Sequence, residues 1–281
     1  MPPDMIDRDG NPAHAVFGFA RFLCDLLERV KPRYCAVAFD ESLASSFRNR
    51  IDPTYKANRE PAPADLKLQF ERCREFCDHL GIAQFASGEY EADDIIGTLH
   101  ARLRREGVPA TVVTRDKDLA QLIREGDVYW NYAENIRLQH HEIEEHFGVA
   151  PERYADYLAL TGDAVDNIKG VPGVGPKTAA ALLKEFVSLE EIYDNLDCVA
   201  RLPIRGAARL GEKLLQHREQ AFFARRLTEI VRDAPLQAER LELQPRAPDG
   251  LRLSEFFDRH NFGPMLRRQS DRLSAQHVGT A

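Results

Sequence analysis

The sequence predicts an α/β fold with a doubly wound, mainly parallel sheet, followed by a second domain that is all helical. Apolar runs of strand length alternate with amphipathic helical segments over the first half of the chain. After Pro151 the strand signals nearly vanish and helical segments follow one another. We therefore expect an α/β domain over residues 1–152 and a helical domain over residues 153–281.

The elements of the first domain begin with Asn11-Pro12, a helix N-cap followed by proline, after which apolar residues keep helical spacing to Val30. Residues 34–39 are a continuous apolar run, which is typical of a strand buried on both faces. The later patterns predict strands at 82–86, 110–114 and 128–131, and helices at 66–80, 91–105, 154–160, 177–186, 189–196, 207–231 and 251–260. The tail after Gly263 is predicted to be frayed.

Residues 41–63 form a long stretch without apolar periodicity after the first predicted strand. Three prolines keep it irregular, and basic and aromatic residues are interleaved along it: Phe47, Arg48, Arg50, Tyr55, Lys56 and Arg59. Loops of this length in a compact domain are usually functional or disordered. Two interpretations stay open, a solvated mobile loop and a segment that contacts DNA.

Acidic residues follow three of the predicted strands: Asp40, then Glu91, Asp93 and Asp94, then Asp116 and Asp118. Ligands of open parallel sheets bind beyond the carboxyl ends of the strands, so these side chains are expected to meet. Asp163 and Asp166, three apart on a predicted helical turn, add two carboxylates that share one face. An all-oxygen cluster suits two Mg²⁺ or Mn²⁺ ions. The alternative is that Glu91 to Asp94 favour a helix N-terminus and that Asp116 is an N-cap.

Residues 170–178 put three glycines and two prolines into a hairpin that leads directly into a predicted helix. Glycines let the backbone approach a ligand, and the free N–H groups of a helix N-terminus suit a phosphate. Lys177 adds a positive charge. The alternative is a corner between two helices that binds nothing.

Bulk composition is that of an ordinary globular protein, with 281 residues and a net charge of −7. An acidic total argues against a protein that coats nucleic acid, although local basic patches are compatible with it. No apolar run approaches the roughly 18 residues of a membrane span, and the N-terminus lacks a signal-peptide pattern. The expected location is the cytoplasm, without membrane contact.

Taken together and in order, these motifs resemble the flap endonuclease and 5′-3′ exonuclease family, and above all the 5′ nuclease domain of bacterial DNA polymerase I. The resemblance covers almost the whole chain. It depends on Phe39-Asp40, residues 47–59, Glu91-Ala-Asp-Asp-Ile-Ile-Gly97, Thr114-Arg-Asp-Lys-Asp118 and residues 162–178. It implies a PIN-like α/β domain and a helical domain that contains a helix–three-turn–helix.

The resemblance also implies roles for the site residues. The first metal is assigned to Asp40, Glu91, Asp93 and Asp94, and the second to Asp116, Asp118, Asp163 and Asp166. Residues 41–63 become an arch from which Lys56 and Arg59 steer the scissile phosphate. Contacts to DNA are assigned to Arg48, Tyr55, Gly170, Val171, Gly173, Val174, Gly175, Lys177 and Thr178, with K⁺ as an expected additional cation at the hairpin.

The implied activity is that of a monomeric 5′-3′ exonuclease and 5′-flap endonuclease in DNA replication and repair. Its expected substrates are DNA with 5′ flaps or 5′ ends and, in addition, RNA–DNA hybrids. A second hypothesis is a flap- or duplex-binding protein with impaired catalysis. Family members open with a strand that carries an Asp ligand, whereas this sequence opens with Asp4, Asp7 and Asp9 in a Pro/Gly-rich stretch. A small PIN-type ribonuclease would share the acidic crevice but would not need the hairpin.

We expect the natural chain to be longer at its N-terminus by about twenty residues, the length of one strand and its loop. The reason is that the first predicted helix has no preceding strand, in a fold where that strand would be central. Mass spectrometry of the native N-terminus measures this. A fully active native protein that begins at Met1 would contradict the expectation.

Overall fold

The computed structural model describes residues 5–41, 45–204, 206–236 and 242–278. Asp4 and residues 42–44 of the predicted basic loop therefore lie outside the described residues. Within these ranges no helix is long and apolar enough to cross a bilayer.

The chain up to residue 147 contains both helices and strands. They are α1 (His14–Val30), β1 (Ala36–Asp40), α2 (Phe47–Ile51), α3 (Ala64–His79), β2 (Ala83–Ser87), α4 (Ala92–Arg105), β3 (Thr111–Val113), β4 (Val128–Asn131), β5 (Ile136–Gln139) and α5 (His140–Phe147). The rest of the described chain is mainly helical: α6 (Tyr154–Thr161), β6 (Gly162–Asp163), β7 (Ile168–Lys169), α7 (Pro176–Glu185), α8 (Leu189–Asp194), α9 (Leu196–Val199), α10 (Ala207–Gln216), α11 (Arg218–Thr228), α12 (Gly250–Arg259) and α13 (Pro264–Val278). Short 3₁₀ helices span Lys117–Leu122 and Pro151–Arg153.

The strands form three small sheets in the described part of the chain: β1 with β2, β3 with β4 and β5, and β6 with β7. β3 pairs parallel with β4, and Val112 lies opposite Tyr129. β5 pairs antiparallel with β4, and it escapes the sequence analysis because its sequence Ile-Arg-Leu-Gln contains no continuous apolar run. The prediction that the first strand is buried on both faces is wrong, since every residue of β1 is at least partly exposed in a sheet of two strands.

The chain divides into two compact units that do not follow its order. The first unit comprises residues 1–39, 61–86 and 236–281, and the second comprises residues 40–60 and 87–235. β1 and β2 lie in the first unit up to their last residues, Asp40 and Ser87, which belong to the second. The predicted division of the chain near residue 152 stays a prediction.

In the first unit, α1 packs on α3 and α13, and α12 packs on α3 and α13. Its core includes Leu23, Phe76, Phe256 and Phe257, which are almost completely buried. The prediction of a frayed tail is wrong, because α13 is a helix whose Leu266 is buried in this core.

In the second unit, α6 packs on α7 and α11, and α4 packs on the 3₁₀ helix Lys117–Leu122. In this unit the structure differs from the sequence-based prediction at two elements. The long helix 207–231 is broken at His217 into α10 and α11. Asp163 and Asp166 lie in the β6–β7 hairpin rather than on a helical turn, since Asp163 pairs with Ile168 across a four-residue turn.

Gly97 of α4 faces residues 230 and 231 at a distance that leaves no room for a side chain. A Cβ there would lie 2.6 Å from Ile230 Cγ2 and 2.6 Å from the Val231 carbonyl oxygen. We predict that Gly97→Ala lowers the free energy of unfolding by about 1–3 kcal/mol, because a packed backbone must shift. Chemical denaturation measures this.

Gly250→Ala is the matched control. Gly250 opens α12, and a Cβ there meets nothing within 4 Å. This control is expected to be neutral or slightly stabilising, since alanine favours helix over glycine. Equal stability of Gly97→Ala and the wild type would show that the approach of residues 230 and 231 to α4 is not tight in solution.

Candidate metal and phosphate site

The first carboxylate set consists of Asp40, Glu91 and Asp93, and it lies where β1 ends and α4 begins. Asp40 Oδ1 accepts a hydrogen bond of 2.7 Å from the Ala92 amide, which holds its carboxylate at the start of α4. Glu91 is the N-cap residue of α4 and is buried, and its Oε1 atom has no hydrogen-bond partner among the described residues.

The second carboxylate set consists of Asp116, Asp118, Asp163 and Asp166. Asp116 caps the 3₁₀ helix Lys117–Leu122 by accepting a 2.9 Å hydrogen bond from the Asp118 amide. Asp118 Oδ1 is buried and has no hydrogen-bond partner in the described ranges. Asp163 ends β6, and Asp166 lies in the turn between β6 and β7. The N-cap interpretation of Asp116 is thus also correct, and a capping carboxylate keeps a second oxygen for a ligand.

The two sets are coupled electrostatically through Asp116. Burial, followed by the negative charges of Asp116 and Asp40, raises the pKa of Asp93 from its ordinary 3.8 to about 8. Burial, followed by the charges of Asp116 and Asp163, raises the pKa of Asp118 to about 7. Carboxylates held this close disfavour one another's charged form unless cations neutralise them.

The residues present fit divalent cations. The donors are all carboxylate oxygens, which Mg²⁺ and Mn²⁺ prefer, and both sets contain a buried oxygen without a partner. No three Asp, Glu, His or Cys side chains of the described chain already converge tightly enough to hold an ion. The assignment of individual ligands therefore stays a prediction.

Lys56 and Arg59 of the basic loop lie directly on the carboxylates. Lys56 Nζ is 2.7 Å from Glu91 Oε2 and 3.7 Å from Asp166 Oδ2. Arg59 is paired with Asp166 as well. The loop is fixed there by backbone contacts, because the Lys56 amide donates to the Asp166 carbonyl at 3.0 Å and Asn167 Nδ2 donates to the Thr54 carbonyl at 2.8 Å. The predicted position of these two cations at the metal site is consistent with this geometry.

Asp94 and Arg48 have other partners than those predicted for them. Asp94 is completely buried, and both of its oxygens accept hydrogen bonds from Arg48, at 2.6 and 2.8 Å. The Glu91 and Val231 amides also donate to Asp94, at 3.1 and 2.9 Å. With four bonds already made, the Asp94 carboxylate has little capacity left for a metal, and a buried Arg48 has none for DNA. For Asp94 the alternative of a helix N-terminal role is favoured.

Tyr55 is also buried, so its ring is not open to a nucleotide base. Its hydroxyl lies 3.1 Å from Glu91 Oε2 and 3.2 Å from Asp166 Oδ2, within hydrogen-bonding distance of both carboxylate sets. Contact with DNA stays a prediction for this residue, and the geometry favours a role in holding the two carboxylates together.

The glycine hairpin separates into a buried part and an open part. Val171 and Val174 are buried, and their amides donate to the Leu160 and Val171 carbonyls. Gly170 permits close backbone contact, since a Cβ there would lie 2.2 Å from the Gly162 nitrogen. These three residues shape the hairpin rather than offering a surface to DNA.

The open part of the hairpin is formed by Gly173, Gly175, Lys177 and Thr178. Gly173 has a φ of +79°, and a Cβ on Gly175 would meet nothing within 4 Å. Among the described residues the Gly173 and Gly175 amides have no acceptor, and Lys177 and Thr178 lie in the first turn of α7, where amides lack intrahelical partners. Four free N–H groups at the start of a helix suit a phosphate.

The sequence analysis missed Lys213, whose Nζ atom lies beside this open part. A Cβ on Gly173 would be 2.7 Å from Lys213 Nζ. No local pattern connects the two, because Lys213 is on α10, forty residues further along the chain. The amphipathic pattern of α10 indicated only which residues face solvent.

Relatives of known name match most of the chain. It is 32% identical over 227 residues to a 5′-3′ exonuclease of Buchnera aphidicola subsp. Acyrthosiphon pisum, a match that covers 81% of this chain and 79% of the relative. It is 37% identical over 265 residues to DNA polymerase I of Streptococcus pneumoniae strain R6, which covers 92% of this chain. The match spans only 29% of that polymerase.

Solved structures share the fold at low sequence identity. The T5 5′-exonuclease with bound zinc ions has a TM-score of 0.61 at 19% identity, and the match covers 95% of this chain and 91% of that one. The catalytic core of Rad2 in complex with DNA substrate has a TM-score of 0.62 at 16% identity, over 96% and 85% of the two chains. The predicted α/β fold with a helical second part is confirmed.

Family models match both parts of the sequence. The N-terminal resolvase-like domain of 5′-3′ exonucleases matches residues 1–148, and their C-terminal SAM fold matches residues 149–250. The resemblance found in the motifs is thereby confirmed, and the chain belongs to the 5′-3′ exonuclease family.

Proposed function

We propose that the chain is a metal-dependent 5′ nuclease that hydrolyses phosphodiester bonds of DNA at 5′ ends and 5′ flaps. The observation that carries the proposal is that Lys56 Nζ lies 2.7 Å from Glu91 of one carboxylate set and 3.7 Å from Asp166 of the other, where Arg59 is paired as well. Membership of the 5′-3′ exonuclease family supports it. So does the fold shared with a metal-bound exonuclease and with a nuclease core bound to DNA.

In this proposal Asp40, Glu91 and Asp93 hold one divalent ion, and Asp116, Asp118, Asp163 and Asp166 hold another. When bound, the pair of ions supplies Lewis-acid activation of the attacking water and of the leaving 3′ oxygen. The chain's own residues fix where the substrate phosphate lies relative to these carboxylates. Mg²⁺ or Mn²⁺ fits the oxygen donors.

In this mechanism Lys56 and Arg59 pair first with carboxylates of the site and then with the substrate phosphate. Without metal they neutralise Glu91 and Asp166, as their ion pairs show. With divalent cations held by the carboxylates, Lys56 and Arg59 would no longer be needed to neutralise Glu91 and Asp166. Both side chains are then free to donate hydrogen bonds to the oxygens of the scissile phosphate, which they orient for in-line attack.

The open part of the hairpin holds the duplex by its backbone. Free amides of Gly173, Gly175, Lys177 and Thr178 bind one phosphate, and Lys177 and Lys213 supply charge. K⁺ is a further proposed cation there. Because phosphate contacts carry no base code, we propose recognition of structure rather than sequence, with RNA–DNA hybrids as additional substrates and a monomer as the acting form.

Asp116→Asn is predicted to abolish cleavage while flap affinity stays within severalfold of the wild type. Asparagine keeps the cap of the 3₁₀ helix but removes the charge shared by both carboxylate sets. The loss of that repulsion is also predicted to raise the melting temperature of the metal-free protein and to reduce its further rise with Mg²⁺. Single-turnover cleavage, flap titration and thermal unfolding measure the three effects.

Asp249→Asn is the matched control, since Asp249 caps α12 by accepting a 3.0 Å hydrogen bond from the Arg252 amide. It is expected to cleave like the wild type. Normal Mg²⁺-dependent cleavage by Asp116→Asn would show that the two-metal assignment is wrong.

Gly173→Val is predicted to weaken binding to the duplex part of a flap far more than it slows the cleavage step at saturating protein. A branched side chain is strained at a positive φ, and it would also displace Lys213 from the hairpin. The loss should be equal for duplexes of different sequence. Titration of labelled flaps and single-turnover cleavage separate affinity from chemistry.

Lys213→Gln tests the charge alone and should reduce the slope of log affinity against log salt by about one. Lys67→Gln on α3, whose side chain is exposed, is the control and should leave that slope unchanged. Wild-type affinity in Gly173→Val would mean that the hairpin is only a corner of the fold, and a loss confined to one sequence would indicate base recognition.

A further inference from the structure

Residues 227–231, which we call the spacer segment, contribute no carboxylate to the candidate site, yet side chains next to that site bind their backbone. The segment covers the end of α11 and the residues after it. Five of its backbone groups are bonded to three polar side chains that are themselves buried: Arg48, Asp94 and Gln121. A buried polar side chain that binds a distant backbone fixes two parts of the chain relative to each other.

The first connection runs from the spacer segment to the start of α4. Arg48 Nε donates to the Leu227 carbonyl at 2.8 Å, and its Nη2 atom donates to the Glu229 carbonyl at 2.9 Å. The same guanidinium holds both oxygens of Asp94, which also accepts from the Val231 amide. Asp94 follows Asp93 directly and bonds to the Glu91 amide, so this connection fixes the turn that carries the first carboxylate set.

The second connection runs from the spacer segment to the 3₁₀ helix Lys117–Leu122. Gln121 Nε2 donates to the Thr228 carbonyl at 3.1 Å, and its Oε1 atom accepts from the Ile230 amide at 3.0 Å. Gln121 is three residues after Asp118 in the same short helix. This connection therefore fixes the element that carries Asp116 and Asp118.

A third connection leads to α6, which ends at Thr161, two residues before Asp163. Thr228 Oγ1 donates to the Ala155 carbonyl at 3.2 Å. The close approach of Ile230 and Val231 to Gly97 fixes the segment against α4 independently of these hydrogen bonds. The start of α4, the 3₁₀ helix Lys117–Leu122 and α6, which lie next to carboxylates of both sets in the chain, are thus bonded to one stretch of five residues.

We propose that the spacer segment sets the distance between the two carboxylate sets, and that Arg48 and Gln121 are positioning residues for divalent metal binding. The inference rests on the proposed metal-dependent function. An ordinary need to pair buried polar groups explains that Arg48 and Gln121 have partners. It does not explain why both use alternating groups of the same segment, one through the neighbour of Asp93 and the other from three residues after Asp118.

Arg48→Lys and Gln121→Met test the two connections separately. Lysine keeps the charge but cannot hold Asp94 in a bidentate pair and reach two carbonyls as well. Methionine keeps the volume of glutamine without its amide. Arg50→Lys is the matched control, because Arg50 lies on the same helix α2, is exposed and pairs only with Glu89 among the described residues.

The main measurement is Mn²⁺ binding to the DNA-free protein, followed by the paramagnetic resonance of free Mn²⁺. Both variants are expected to bind Mn²⁺ about 10- to 100-fold more weakly than the wild type, the usual effect of losing a residue that orients metal ligands. Their single-turnover cleavage should need correspondingly more Mg²⁺ and recover when Mg²⁺ is in excess. Flap affinity without divalent metal should be unchanged, and Arg50→Lys should match the wild type in its metal dependence.

Three outcomes would overturn the inference. The first is wild-type Mn²⁺ affinity in folded Arg48→Lys and Gln121→Met, and the second is reduced thermal stability without any change in metal dependence. The third is a loss of flap affinity in Arg48→Lys with Mn²⁺ binding intact, which would make Arg48 a DNA contact. If Arg48→Lys does not fold, Gln121→Met, which removes no charge, decides alone. Failure of the wild type itself to bind Mn²⁺ would contradict the proposed function instead.

Discussion

Repulsion between carboxylates is the constraint on which the second unit depends. The charge of Asp116 acts on both Asp93 and Asp118, and it raises the pKa of each carboxyl in addition to the larger effect of burial. A chain folds around such a cluster only if other interactions hold its parts in place. The Arg48–Asp94 pair is one of them, and the removal of one partner from a buried pair of this kind typically costs about 3–5 kcal/mol. In the proposed function, divalent cations would neutralise these charges.

The basic loop brings positive charge to the carboxylates without any substrate present. Lys56 has a φ of 55°, which is unusual for a residue other than glycine, and its amide is bonded to the Asp166 carbonyl. Strain of this kind persists only where the surroundings determine the conformation. The loop is consequently held with its ammonium group on Glu91, and the positive charge that a phosphate would need is already present at the carboxylates.

The positions of Asp40, Glu91 and Asp116 at the ends of elements could be expected from the sequence, because they depend on local signals, whereas their role as metal ligands stays a prediction. Asp40, Glu91 and Asp116 each stand next to the end of a strand or the start of a helix, and such ends can be recognised from a few neighbouring residues. Arg48 and Asp94 could not be interpreted correctly in this way. Their burial depends on residues 227–231, more than 130 positions away from Asp94, and no local pattern announces that contact.

The glycine hairpin shows the same limit of sequence-based prediction, because local patterns do not reveal which of its residues are buried. The resemblance assigned residues along the whole hairpin to contacts with DNA. In the structure Val171 and Val174 belong to the core, whereas Gly173 and Gly175 remain open. The division follows from α6, which packs on both α7 and α11. One end of α6 leads into Asp163, and its neighbour α7 begins at the open amides. Because a packed helix pair keeps its spacing, the distance from the proposed duplex grip to the carboxylates is fixed by the fold. If the chain cuts DNA as proposed, the bond that it cuts is selected by its distance from the gripped duplex, without any base being read.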